Sequence, residues 1–385
     1  MTEFYIDTQE QLLTFCESIK DSQWLALDTE FLREKTYYPK FCLLQISNGQ
    51  ISACVDPLRL DDLSPIKNIL FNTNIVKVLH AAHQDLEIFH LLWDKIPAPI
   101  FDTQLAAAIT GYGDQMGYAR LVSQLLNVTL EKDQARTDWS KRPLDKAQQQ
   151  YALNDVTFLG EIYLLLDAKI KKLDRENWLD AEYQHFNNPA TFQIASDDAW
   201  KKVKGRQHLK GVQYAVLQKL ADWREVRAIK SDRPRRWIMK DEVLIDLARR
   251  TPEKSHLLSK IRGIEEGLIR KHGDEIINII QSAKQIPQES WPSDNIPIRQ
   301  LTKQEEALGD LMMCALRLIA AEHQLTAAVI ANKKDLEKLI TGAQDTALLD
   351  GWRKRIAGDH LKQIQQGELL PCWDADNNLT LCPAT

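Results

Sequence analysis

The chain has 385 residues, 44% of them hydrophobic and 27% charged, the balance of a water-soluble globular protein of two or three domains. No apolar run approaches the roughly 18 residues a membrane-spanning helix needs, and the start of the chain lacks the pattern of a signal peptide. The formal net charge of −5 argues weakly against a polyanionic partner.

Residues 1 to about 130 alternate short strand-like runs with helical patterns. Phe4 to Ile6 reads as a strand, and Thr8-Gln9-Glu10-Gln11 resembles a capping box that opens a helix to about Lys20. Trp24 to Thr29 is a strand, and 41–46 with 51–55 form a hairpin around Asn48-Gly49. A helix over 61–70, a strand over 75–79 and a helix over 85–93 follow. Such alternation predicts a mixed sheet flanked by helices. From Asp102 the pattern turns helical, over 103–109, 118–126 and a long helix over 144–168 that Pro143 starts.

After about Phe192 strand patterns disappear. A first helical array runs from Gly211 to Ala283. Pro287, Pro292 and Pro297 mark an extended linker, and a second array covers 302–366. Leu217-x-x-Leu220-x-x-Trp223 parallels Leu308-x-x-Leu311-x-x-Cys314, which suggests duplication of a small helical domain. The domains expected are therefore 1–192, 205–286 and 298–370, with 371–385 a tail that carries no signal. Charge is uneven: residues 201–240 carry 13 Lys or Arg against three acids, an electrostatic footprint for phosphate. The six cysteines (Cys16, Cys42, Cys54, Cys314, Cys372, Cys382) form no C-x-x-C pairs. Neither a zinc site nor a disulfide framework is expected, and a cytoplasmic location is the simpler one.

The chemistry lies in the acids. In Leu27-Asp28-Thr29-Glu30-Phe31, strand alternation sends Asp28 and Glu30 to the same face, roughly 7 Å apart. Their repulsion is relieved by a hard divalent cation, which prefers carboxylate oxygens. By itself such a pair is more often a turn or a solvated edge. Asp85, just after a strand, reads more readily as a helix N-cap when taken alone, although a cap position at the mouth of a sheet can also be a ligand. Tyr151 and Asp155, four apart, share one helical face. Together these segments supply four acids in order, with a tyrosine four residues before the last.

Asp28-x-Glu30, Asp85 and Tyr151-x-x-x-Asp155 resemble the three exonuclease motifs of the DEDD 3′–5′ exonuclease superfamily, in its tyrosine-containing branch. Phe101-Asp102-Thr103-Gln104, Thr137-Asp138-Trp139-Ser140-Lys141-Arg142-Pro143-Leu144 and Tyr151-Ala152-Leu153-Asn154-Asp155-Val156 narrow the resemblance to the ribonuclease D family. The helical arrays resemble the helicase-and-RNase-D C-terminal (HRDC) domain, although the second departs from its pattern around Gly351 to Arg355. The resemblance implies a ribonuclease-H-like α/β exonuclease domain followed by two all-α HRDC-like domains. It also implies two divalent ions, Mg²⁺ or Mn²⁺, with Asp28, Glu30, Asp85 and Asp155 as metal ligands and Tyr151 orienting the attacking water. Phe31, Trp139, Lys141 and Arg142 are expected to contact substrate, through aromatic stacking and phosphate attraction. The expected partner is an RNA 3′ end, such as that of a precursor transfer RNA, with no membrane and no obligate protein partner. A DNA 3′–5′ exonuclease and a catalytically inactive RNA-binding adaptor are the alternatives.

Overall fold

The computed structural model describes residues 2–130, 137–186, 188, 191–192, 196–293 and 301–384. The chain forms two compact units, one of residues 1–31, 41–188 and 298–385, the other of 32–40 and 189–297.

In the first unit a six-stranded mixed sheet has the order β1-β4-β3-β2-β5-β6. β1 (Thr2–Ile6) pairs parallel with β4 (Ile51–Val55), which pairs antiparallel with β3 (Lys40–Ser47) through the Asn48-Gly49 turn. At φ +86° Gly49 takes the left-handed conformation that such a turn needs. β2 (Trp24–Leu32), β5 (Val76–Leu79) and β6 (Ile100–Asp102) run parallel to one another. Parallel neighbours need crossovers, and the helices that supply them cover the sheet. α1 (Gln9–Ile19) starts on the expected Thr8–Gln11 capping box. α2 (Ser64–Leu70), α3 (His83–Trp93), α4 (Thr103–Ile109) and α5 (Tyr118–Leu126) follow.

The long helix expected over 144–168 is instead two, α6 (Lys146–Thr157) and α7 (Leu159–Lys172), broken at Phe158. Gly160 explains the change of course: a Cβ there would stand 2.0 Å from the Trp24 indole, so α7 seats almost backbone-to-ring on β2. Asp145, rather than Pro143, caps α6. Leu25, Ala26 and Leu27 of β2 are fully buried, so the strand that carries the acids is anchored by the core on which it ends. Lys77 of β5 is also fully buried. Its ammonium is satisfied by the carbonyls of Asn72, Ile75 and Ala98 at 2.5–2.7 Å.

After α8 (Asp180–Phe186) the chain leaves this unit and returns with the second helical array. That array shares one hydrophobic core with the sheet domain. Trp178 stacks on Trp352 at 4.3 Å, and Arg175 donates to the carbonyls of Ile109 and His323 at 2.6 and 2.7 Å.

The second unit contains α9 (Val212–Ser231), α10 (Arg235–Ile238), α11 (Asp241–Arg250) and α12 (Glu266–Lys284), packed around Leu217, Leu220, Leu244 and Ile276. Residues 32–40 are part of it. The Tyr37 hydroxyl bonds to buried Glu225, and Arg235 donates to both Glu225 and Tyr37. In the returning array, α13 (Lys303–Glu322), α14 (Ala327–Ile330) and α15 (Lys333–Ile340) repeat the order long helix, single turn, helix. The repeat breaks down after that. α16 (Gly351–Arg353) passes through a π turn, Lys354–Gly358, into α17 (Asp359–Gln366), where the sequence pattern also departs.

Residues 369–383 carry regular structure. β7 (Leu369–Trp373) and β8 (Leu379–Pro383) form an antiparallel hairpin, bridged by a Cys372–Cys382 disulfide that the cysteine spacing did not suggest.

Candidate active site

Three elements of the first unit bring the acids together. The end of β2 presents Asp28 and Glu30 on one face, and α6 presents Asp155. One carboxylate oxygen from each of the three lies within 4.8 Å of the other two. A spacing this short between like charges is unfavourable without a counter-ion. Asp85, the fourth acid, sits in the first turn of α3. It is not the N-cap, which is Ala82. Its carboxylate accepts a 2.5 Å hydrogen bond from the Thr29 hydroxyl, between Asp28 and Glu30 in sequence. Asp85 therefore joins the acidic group through a neutral bridge and outside the closest trio.

Electrostatics follow from that packing. Burial pushes Glu30 up to about 8, and the fields of Asp155 and Asp85 add to it. Burial likewise lifts Asp155 to about 7. Asp85 also stands at about 7, raised by burial while the Thr29 hydrogen bond pulls the other way. Asp28, at the centre, is raised well above the carboxylate range by burial first and then by Asp85, Asp155 and Glu30. Four acids that hold protons near neutrality, with oxygens converging on one point, fit a hard divalent cation in both donor type and charge.

Neighbouring residues hold these acids in place. Buried Asp102 accepts from the backbone N–H groups of Ala81 and Ala82 at 3.1 and 2.9 Å, and from Gln104 and Leu105 on α4. It thereby fixes the turn, left-handed at Ala81 (φ +57°), from which α3 carries Asp85. The Tyr118 hydroxyl donates to the carbonyl of Asn154 at 3.0 Å, next to Asp155. Asp102 and Thr29 lie inside the sequence motifs, but local pattern gives neither of them a task. The signal for Thr29 was its place between two acids at a strand end.

Tyr151 lies one helical turn before Asp155 on α6. Burial, and then Asp155, Glu30 and Asp28, hold its phenol well above the usual range, so it remains a neutral hydroxyl. Its ring packs against Trp139, with centroids 6.1 Å apart. The expected substrate contacts divide. Phe31 is partly exposed at the end of β2, beside Glu30, and the Lys141 side chain is 80% exposed. Trp139 is only 2% exposed and belongs to the packed interior. Arg142 donates to Asp56 and to backbone carbonyls of Cys42, Trp139 and Lys141.

Comparison with known proteins bears on the same elements. Residues 4–171 match a 3′–5′ exonuclease family and residues 213–280 match the HRDC domain. A protein named ribonuclease D from Bartonella henselae is 36% identical, covering 91% of this chain and 87% of its own. One of the same name from Jannaschia is 34% identical over 94% of this chain and 95% of its own. The crystal structure of Escherichia coli RNase D, described as an exoribonuclease involved in structured RNA processing, superposes with a TM-score of 0.84 at 29% identity, covering 95% of this chain and 99% of that one.

Proposed function

The chain belongs to the ribonuclease D family, and on that premise we propose that it is a 3′–5′ exoribonuclease that trims RNA, transfer RNA precursors in particular, in the cytoplasm. One observation carries the reading: the oxygens of Asp28, Glu30 and Asp155 converge within 4.8 Å. These three would hold one divalent ion, Mg²⁺ or Mn²⁺, and Asp85 with Asp28 a second. Bound ions supply Lewis-acid neutralisation of the charge that develops as a phosphodiester is cut.

The chain's own groups do the remaining work. A water oxygen forms the new bond to phosphorus, the bond from phosphorus to the 3′-oxygen breaks, and that oxygen takes up a proton. The products are a nucleoside 5′-monophosphate and an RNA one residue shorter. Tyr151 aims the water through a hydroxyl too weakly acidic to act as the base. Phe31 gives the terminal base an apolar face, and Lys141 attracts the backbone.

Affinity for the body of the RNA would come from the second unit. A groove of about 700 Å³ there is lined by Lys204, His208, Lys240, Arg249 and Arg262. Its acids Glu242 and Asp246 are already paired with Arg236 and Arg250. The surplus positive charge suits a phosphate backbone.

The test is digestion of a 3′-extended transfer RNA with and without EDTA, beside a matched DNA 3′ end. Stepwise release of 5′-monophosphates from RNA, abolished by EDTA, is expected. Asp155→Asn should lower kcat at least ~10²–10³-fold. Near-full hydrolysis by that variant, or hydrolysis indifferent to EDTA, would defeat the reading.

A further inference from the structure

Arg142 was expected on the substrate, yet all five of its N–H donors are engaged inside the protein. Nε and Nη2 grip the two oxygens of Asp56, the latter at 2.7 Å. Nη2 also donates to the Cys42 carbonyl at 2.6 Å. Nη1 donates to the carbonyls of Lys141 and Trp139, at 2.7 and 2.8 Å. Asp56 is fully buried, and it further accepts from the Tyr5 hydroxyl at 2.6 Å and the Leu58 amide at 3.0 Å. This node ties the 137–143 loop to β1, β3 and the end of β4. The loop is also tied to α6, through Gln148 Nε2 donating to the Thr137 hydroxyl at 3.0 Å.

What the loop carries is Trp139. Its indole N–H makes no hydrogen bond among the described residues, so packing alone holds the ring. The face it presents meets Tyr151, the rings tilted by 33°. No other side chain among the described residues bonds the Tyr151 hydroxyl, which leaves the direction of that hydroxyl to the packing of its ring.

We propose that Asp56, Arg142 and Trp139 form a brace for Tyr151: positioning residues that set the aim of the water-orienting hydroxyl without touching RNA. The inference rests on the role given to Tyr151 above. A brace of this kind acts on kcat, because a misplaced reactive group costs rate and not substrate affinity. Lysine cannot replace Arg142, since an ammonium lacks the planar fork that spans Asp56 and two loop carbonyls.

Single-turnover and steady-state kinetics of the full-length protein on a 3′-tailed RNA test the brace in a double-mutant cycle. Asp56→Asn, Arg142→Lys and Trp139→Leu should each lower kcat on the order of 10–100-fold with KM unchanged. In a Tyr151→Phe background the same changes should have almost no further effect, because the group they aim is gone. Trp139→Phe, which keeps an aromatic face, should recover much of the loss seen with Trp139→Leu. Circular dichroism and thermal melts establish that each variant is folded. Should Asp56→Asn fail to fold, the Trp139 pair completes the cycle.

Losses that multiply with Tyr151→Phe would overturn the brace alone. A raised KM with a flattened salt dependence for Arg142→Lys would also overturn it, and return Arg142 to the phosphate. A wild-type rate for Tyr151→Phe by itself would remove the assigned role of Tyr151, and the brace with it.

Discussion

Stripped of divalent ions, the exonuclease unit should lose stability as pH rises from about 5 to 8. Glu30 titrates at about 8 in the folded protein, against an ordinary value of 4.5. Asp85 and Asp155 titrate at about 7, against 3.8. The folded state therefore holds its protons more tightly than the unfolded chain. Below the ordinary carboxylate range both states are protonated and nothing is lost. Between pH 4 and 8 the unfolded chain has released protons that the fold still carries, so each step up in pH favours unfolding. At roughly 1.4 kcal/mol per pKa unit, one such group is worth on the order of 3 kcal/mol across the window. For a unit of this size that is a fall in Tm of roughly 5–10 °C. Calorimetry of EDTA-treated protein from pH 5 to 8.5 reads it directly. Excess Mg²⁺ should lift Tm most at the alkaline end, where the carboxylates are free to receive it. Asp28→Asn removes the central charge, so it should raise the apo Tm at pH 8, flatten the slope and abolish the Mg²⁺ shift. An apo Tm that is level or rising over this range, unaltered by Asp28→Asn, would mean that the acids are not crowded as described.

Other expectations are simpler to check. Thr29→Val deletes the hydroxyl that holds Asp85 and should slow RNA hydrolysis about tenfold, whereas Thr29→Ser should keep most of the rate; equal rates for the two variants would remove the bridge from the mechanism. Replacing Lys240, Arg249 and Arg262 of the groove by Ala should weaken RNA binding and reduce the slope of log K against log salt by about 2, at ~0.7 per charge for a single strand, as filter binding across 50–300 mM salt would reveal. Gly111 stands at φ +91°, where an added Cβ would lie 2.3 Å from the Gln324 carbonyl oxygen in the returning array. Gly111→Ala should therefore cost about 2 kcal/mol or more, seen as a lower melting temperature; an unchanged melt would show that this array yields freely at the contact.

Much of this protein is legible in the chain because local rules govern it. The alternation of β2 puts Asp28 and Glu30 on one face, the 3.6-residue period of α6 aligns Tyr151 with Asp155, and the Thr8–Gln11 box announces α1. Local rules also separate the strand-bearing half from the helical one. They say nothing about what meets across long separations. That Thr29 rather than a cap position receives Asp85, 56 residues away, is decided by how β2 and α3 pack. Arg142 looks like a free cation in sequence and is consumed by Asp56, 86 residues earlier, because a buried carboxylate must find a partner. The break at Phe158, the core shared with the second array and the hairpin at the C-terminal end likewise follow from neighbours that no sequence window contains. Sequence determined which acids, and which tyrosine, stand in the order of the exonuclease motifs, since residue type and period are properties of the chain. Tertiary structure decided which side chains converge and which are taken up by partners, since burial and partner choice exist only after the chain has folded.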